Sequence, residues 1–599
     1  MAQDVTISNQ EELSAAMMIR RALFLVLLIG LTFFYLALDF RGLNTPQGID
    51  QAQIARELAR GNNFSTKFIR PLSLKQTELA NPVKEGAKLG VSLKDFPDIY
   101  HAPLNPMLNS LLLLPFSDYF EYDGESQIFI LDQVIAAGSM LLLLCSIGVS
   151  YLLVSRIFDQ KIGGVTALLM LLCEHLWKFS QTGLPQMLML FLFSFAMYFF
   201  YKAIENHVAG RPVYLWIALT GGFFGLLALA HWITIWIFFG LLIFAAVYFK
   251  PRGIMAAIMF GIFFVIIIPW GIRNADVSGT VAGSGKYIFY AGMGGESEGT
   301  IMRNYNPDED PPVFDGFLRK MVLAALPQLN DLYVYLGSIV VAPLFFVSLL
   351  HPFKRQEIGH FRWCILLMWV FAALGMALFG LDEGALDSNQ LNVLFIPLMT
   401  AYGLAFLSVL WARLSLPVQL PLVGNGHLIL AVIISSLPLL LTLPWDIRTG
   451  IMAGSDTKLK NNYPYFPSIF YAAVSDLDKG DPAGSKAEIV ASDAPWAVAW
   501  YTDRIALWLP KSDAQFRAIA TAAELRRQPV KRVLLTPLAM HANFGRDILA
   551  GEWSAYRAEI IRGSHELWKD GDTYMLQRFP HAFPIGSGTI MVYSTDPFK

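Results

Sequence analysis

Charge is scarce in this sequence: 15% of its 599 residues are charged, against 55% that are hydrophobic. A soluble globular chain carries about 25% charged residues, and the mean hydropathy of +0.47 points to lipid as the solvent. Neither sign dominates, since 45 Lys and Arg stand against 47 Asp and Glu for a net charge of -2. The chain therefore has no basic field for nucleic acid, and its apolar content excludes low-complexity disorder. Cysteine is sparse too. Cys145, Cys173 and Cys364 lie inside apolar runs without CxxC spacing, which excludes a disulfide framework and a cysteine zinc site; they read as small core hydrophobes. No HExxH, GxSxG or Walker-type phosphate loop occurs, so metalloprotease, serine-hydrolase and ATP-driven readings lose support.

Long apolar runs are what the sequence has instead. Runs of the length a bilayer requires, roughly 17 to 25 residues, fall near 22–39, 127–154, 163–178, 184–202, 213–230, 232–249, 254–270, 333–350, 363–380, 391–411 and 427–445. That predicts about eleven membrane helices. The first run follows Arg20 and Arg21 but lacks a small-residue cleavage site, so it reads as an uncleaved helix. With residues 1–21 in the cytoplasm, the short loops carrying Arg156 and Lys161, Lys202 and Arg211, Lys250 and Arg252, Lys354, Arg355 and Arg362, and Arg413 all fall inside, as the positive-inside rule expects. The segment from Leu104 to Phe116 is short and contains Pro106 and Pro115. Counted as a span it would invert every later loop, so it reads as a juxtamembrane or re-entrant element.

This topology gives a transmembrane domain over 22–445 and three large outer segments: 40–126, 271–332 and the tail, 446–599. The tail has ordinary soluble composition. Apolar strands at Glu488–Ala491, Ile505–Trp508 and Arg532–Leu535 alternate with helical stretches such as Ala514–Arg526, the pattern of a small extracytoplasmic α/β domain. No internal repeat pairs the two halves of the chain, unlike many secondary transporters.

The candidate site residues lie in or beside the outer segments. Asp50 precedes a stretch with Ile54 and Leu58 on one face and Gly61 at its end; its plainer reading is a helix N-cap, its functional one a carboxylate at the membrane surface that accepts a proton. Arg273 and Asn274 follow Pro269 and Trp270 at a membrane boundary. Arginine there is either a snorkelling anchor or a bidentate grip for a lipid-borne phosphate, a task that Lys67 and Arg70 could share. His101, by type alone, is an exposed or capping histidine. Asp132 and Glu174 lie near the outer ends of apolar helices, where ionisable groups are functional suspects or snorkelling ends. His175 has no second histidine at ligand spacing, and no metal site is indicated. In the tail, Asp493 and Pro495 read as cap and first-turn residues, and Trp496, Trp500 and Tyr501 offer aromatic faces for sugar rings.

The order of three motifs resembles the GT-C membrane glycosyltransferases, specifically the bacterial relatives of dolichyl-phosphate-mannose protein mannosyltransferases and lipid A aminoarabinose transferases. Its carriers are the stretch from Gly48-Ile49-Asp50-Gln51 to Gly61, similar to the family's acidic motif; His101-Ala102-Pro103-Leu104, similar to its His-Pro-Pro-Leu; and Pro269-Trp270-Gly271-Ile272-Arg273-Asn274, similar to its Pro-Trp-x-x-Arg-Asn. The resemblance covers about residues 20 to 410. It implies a GT-C-like helical domain, Asp50 as catalytic carboxylate and Arg273 near the donor. Two departures stand out. The family's Asp-Glu pair is Asp50-Gln51 here, and its Arg and Asp between the third and fourth helices are replaced around Phe179 to Pro185, which leaves Glu174 or Asp132 to supply a second acid.

The expected function is transfer of a sugar from a polyprenyl-phosphate donor to a lipid, glycan or protein acceptor at the outer face of the cytoplasmic membrane. No cofactor follows from the sequence; a divalent metal stays open but has no support in it. The competing readings are a transporter or flippase for a lipid-linked sugar, which needs a polar route through the helices, and a catalytically silent binding protein on the same fold.

Overall fold

The computed structural model describes residues 2–82, 92–126, 128–380, 386–414, 424–452, 467–475, 488–564, 573–585 and 590–597. Among them seven helices are long and apolar enough to cross a membrane: Met18–Asp39, Ile130–Ile157 (α5), Gln186–Val208 (α8), Ile254–Ser278 (α11), Gln356–Phe379 (α17), Asn392–Arg413 (α18) and Gly426–Thr449, the last within the longer α19 (Gly426–Met452). A bent pair, α6 (Gln160–Leu171) and α7 (Glu174–Ser180), turns by 57° at its break, the form of a broken span or a re-entrant loop. Two shorter apolar helices, Tyr214–Ala230 (α9) and Trp232–Tyr248, fill out the bundle. The chain is a multi-pass membrane protein.

One expected span takes a different form. Over 333–350 the chain runs as short pieces, Leu332–Tyr335 and Leu344–Ser348, joined by turns. Gly337 and Ser338 both take positive φ (75° and 57°), and Pro343 follows, so a continuous helix cannot form. The stretch still travels along the bundle. Cys173 donates to the Gly337 carbonyl (3.4 Å), and further on Phe353 meets Phe158 at the end of α5 (6.2 Å between rings).

The outer segments fold against one another. Pro46–Ala59 (α2) starts with Thr45 extended and Pro46 in the first turn, where a missing N–H costs nothing, and stops at Gly61, φ 83°. Pro71–Ala80 (α3) begins the same way. Leu104–Leu113 (α4) is the proline-bearing segment expected near the surface, and it is helical. The tail forms a six-stranded sheet in the order β2-β5-β4-β6-β8-β7. Its strands are Phe68–Ile69 (β2), Ile489–Ser492 (β4), Ile505–Trp508 (β5), Val530–Leu535 (β6), His581–Ile585 (β7) and Ile590–Ser594 (β8). The first four pair in parallel and the last two antiparallel. Every residue of β4 is buried, as a parallel central strand covered on both faces requires.

That sheet is not the tail's alone. Its edge strand β2 comes from the first outer segment, with Phe68 opposite Ala506. Arg56 of α2, fully buried, donates to the carbonyls of Trp500 (2.7 Å), Ala499 (2.8 Å) and Phe120 (3.2 Å). The 271–332 segment closes the arrangement: Ser284 N–H bonds the Ile99 carbonyl (3.0 Å) and Lys511 N–H the Arg303 carbonyl (2.9 Å). A shared apolar core of Phe40, Ile49, Phe129, Trp500 and Ala506 lies beneath.

Candidate active site

Asp50 is not a helix cap. Helix α2 begins at Pro46 with Thr45 before it, so Asp50 lies inside the helix, and its carboxylate is free for other partners. It is 1% exposed. Arg70 donates to Oδ2, which also meets His101 Nε2 at 2.6 Å, while Gln53 Nε2 reaches Oδ1 at 3.4 Å. Burial pushes the carboxyl pKa up, but the Arg70 and His101 charges outweigh it and hold it at about 2. Asp50 is thus an anion at any physiological pH.

The partners are themselves held. Arg70 sits between the rings of Phe68 (4.1 Å) and Tyr100 (4.0 Å), with Asp98 Oδ1 at 3.7 Å from its Nη1. Asp98 Oδ2 accepts from the N–H groups of His101 (2.8 Å) and Tyr100 (3.3 Å). Arg273 donates to the carbonyls of Asp98 and Phe64, the latter at 3.0 Å, and lies over Trp270 (4.8 Å). Arg273 therefore braces the loop that presents His101 to Asp50. Asn274 accepts from Arg273 (3.0 Å) and reaches the Val281 carbonyl (3.5 Å).

Asp50 and Arg70 face a cleft of about 240 Å³. Its walls come from five parts of the chain: Asp50 and Tyr100 from the first outer segment, Leu184 from the turn before α8, Glu298 from the second outer segment, Asp387 from the turn before α18, and Trp496 and Trp508 from the tail. Tyr100 donates to Glu298. Trp496 and Trp508 stand edge to face, 6.2 Å apart. Trp508 ends β5, on the carboxyl-end side of the parallel strands where open α/β sheets tend to bind ligands.

The other expected residues lie elsewhere. Asp132, at the first turn of α5, accepts from Trp500 Nε1 (2.7 Å) and Tyr501 OH (3.4 Å), tying α5 to the tail. Glu174 pairs with Lys178 one turn on (2.5 Å). Neither lines the cleft. Lys67 meets Asp503 (2.6 Å) and Glu57 (3.4 Å) in a cluster with Arg56 and Arg60. Gln51, where the family has its second acid, accepts from Asn105 (2.7 Å) and so fastens α2 to α4. Glu298, at the start of the short helix Glu298–Met302, and Asp387, in the turn before α18, are the cleft's further carboxylates, and no local motif marks them. Tyr100 directly precedes His101 and Asp98 stands three residues before it, so both adjoin a motif the sequence does mark. Among the described residues no group of three or more His, Cys, Asp or Glu is arranged to hold a metal ion.

No protein-family profile matches the chain, and no curated protein does. Among solved structures it is similar to ArnT from Cupriavidus metallidurans in the apo state, at 12% identity over 90% of this chain and 97% of that one, TM-score 0.47. It is similar to the same protein bound to undecaprenyl phosphate, at 12% identity, 96% and 98% coverage and TM-score 0.46. A third is the oligosaccharyltransferase AglB from Archaeoglobus fulgidus in complex with an inhibitory peptide and a dolichol-phosphate, at 13% identity, 86% and 69% coverage and TM-score 0.45.

Proposed function

We propose that this protein transfers a sugar from a polyprenyl-phosphate donor to a hydroxyl-bearing acceptor at the outer face of a bacterial cytoplasmic membrane. The observation that carries the reading is the buried Asp50–Arg70–His101 constellation at a cleft walled by Trp496 and Trp508. Each part suits one demand of the reaction. A sugar linked to a lipid phosphate already carries a competent leaving group, so no general acid is required. Attack by the acceptor oxygen forms the new glycosidic bond as the bond from the sugar carbon to the phosphate oxygen breaks. Arg70 stabilises the departing phosphate, whose charge it can meet with two parallel N–H bonds. As Arg70 turns toward phosphate, Asp50 loses its cation, becomes more basic, and takes the acceptor's proton. The indole faces pack on sugar rings, and the surrounding loops exclude water.

The N-terminus is then cytoplasmic and the cleft with the tail outside, because the cation-bearing short loops lie at the opposite end of the bundle. The acceptor is a lipid, glycan or protein. The flippase alternative would need a polar route, and its two candidate carboxylates are engaged by Trp500, Tyr501 and Lys178.

The test compares wild type and Asp50→Asn in membranes supplied with radiolabelled polyprenyl-phosphate sugars, following release of free polyprenyl phosphate and label entering acceptor. Transfer by wild type that falls about 10²- to 10⁴-fold in the variant, the range for a positioned proton acceptor, with donor binding intact, supports the proposal. Equal turnover removes Asp50 from the chemistry, and no turnover with any donor favours a binding or transport role.

A further inference from the structure

At the other end of the bundle a second cavity, about 710 Å³, opens between the end of α5, the start of α6, the 353–355 turn, the last turns of α18 and the start of α19. From Asn392, near the cleft, to Ser408 at this cavity, α18 runs about 24 Å at 1.5 Å per residue. The two sites do not share a residue.

Among the described residues the cavity's cations meet only uncharged partners. Lys161 donates to Asn425 and Arg355 to the carbonyl of Ile157, both uncharged acceptors, and among the described residues neither cation has a carboxylate partner. Arg156, close by in sequence, does have one, in Glu205 at 2.7 Å. The one carboxylate in the lining, Asp159, accepts from Ile162 N–H at 2.8 Å, and its charge faces the N-terminal dipole of α6. An independent polar vacancy lies beside them. His427 is 5% exposed; its Nε2 meets Ser408 Oγ at 2.9 Å, and its buried Nδ1 has no hydrogen-bond partner. A buried ring nitrogen left unpaired is costly, which is what a ligand in this cavity would relieve. Trp411 lies against His427, 5.4 Å between rings, and tryptophan is the side chain that sits at headgroup level in a bilayer. Beyond the cavity, α18 and α19 expose Leu410, Ile429, Leu430 and Ile433, an apolar track for acyl chains.

We propose that this cavity holds the headgroup of an anionic phospholipid, its phosphodiester between Lys161 and Arg355, with His427 Nδ1 within the same pocket. Basic pockets between membrane helices are suited to such headgroups, and the adjoining apolar track favours a lipid over free phosphate. The site needs neither Asp50 nor the transferase reading.

The test uses the full chain, purified, stripped of lipid and titrated with cardiolipin, phosphatidylglycerol, phosphatidylcholine or inorganic phosphate, with bound molecules counted by native mass spectrometry. The two anionic lipids bind wild type, and phosphatidylcholine does so at least tenfold more weakly. Lys161→Gln, which can still bond Asn425, weakens anionic lipid about tenfold, as loss of a charged hydrogen bond does. Ala412→Trp, or Ala412→Leu should that variant not fold, fills the cavity and weakens binding while every charge remains. Lys202→Gln, a cation at the same end of the bundle that stacks on Trp216 (4.6 Å), leaves binding unchanged. The proposal is overturned if the Lys161 and Ala412 variants bind like wild type, if Lys202→Gln weakens binding as much as Lys161→Gln, or if inorganic phosphate binds as tightly as the lipids.

Discussion

Gly48→Ala adds one methyl group to α2, and helix propensity alone says it should stabilise the chain by about 1 kcal/mol. The packing says the reverse. A Cβ at this position would stand 1.9 Å from the Thr182 carbonyl oxygen and 2.6 Å from Thr45 Oγ1. The first is backbone, in a turn that ends at Gly183 with φ 76°, so no side-chain rotation relieves the clash, and α2 must move by more than about 1 Å to reach ordinary contact distance. The Thr45–Thr182 hydrogen bond, now 3.0 Å, is lost with the move. Overpacking costs about 1–3 kcal/mol and the lost bond about 1 kcal/mol, so the net effect is a destabilisation of roughly 1–3 kcal/mol after the propensity gain. Asp50 is two residues along the same helix. Its 2.6 Å contact with His101 does not survive a shift of that size, and a misplacement of about 1 Å costs on the order of 10² in rate. The assay is an apparent melting temperature in detergent beside sugar transfer in membranes. Gly164→Ala is the control, because it too is helical but has nothing within 4 Å of its Cβ; it should be neutral or slightly stabilising. A Gly48→Ala protein as stable and as active as Gly164→Ala would refute the reasoning.

Three further outcomes are expected. The folded-state pKa of Asp50 is lowered from 3.8 to about 2, so its ionisation contributes about 2 kcal/mol of stability that is present above pH 4 and lost as pH falls from 4 toward 2; acid unfolding of Asp50→Asn should lack that component, and an unchanged acid profile would exclude it. Asp132→Asn keeps an oxygen for Trp500 Nε1 and turns an NH2 toward the Tyr501 hydroxyl, which can accept from it, so it should retain transfer within about tenfold while Asp50→Asn does not; equal losses in the two would make Asp132 part of the chemistry. Asp503 is held well below the usual carboxylate range because, against the opposing effect of its burial, it meets Arg56, Lys67 and Arg60. Asp503→Asn keeps a residue tolerant of the left-handed backbone at φ 56° but leaves the buried Arg56 without that anion, at a cost of about 3 kcal/mol; limited proteolysis should then release the tail sooner than in wild type.

Hydropathy alone marked most of the long apolar helices, because a run of some twenty apolar residues has few alternatives to a spanning helix, but it did not reveal that 333–350 is broken at Gly337 and Ser338. The strand at Ile505–Trp508 and the helix near Ala514–Arg526 were equally legible, their apolar periods differing as strand and helix must. What local pattern could not reveal is where Asp50 points. Type and position allowed a cap, and only the start of α2 at Pro46 frees the carboxylate for Arg70 and His101. Nor could the sequence separate Asp132 and Glu174 from the cleft, or bring Glu298, Asp387 and Trp508 into it, since these come from segments hundreds of residues apart. The same holds for β2, two residues of the first outer segment that become the edge of the tail's sheet. Helices are set by contacts a few residues along the chain, so the sequence determined them by itself; the cleft is set by which outer segments bury their surfaces against one another, and that is decided only when the whole chain has folded.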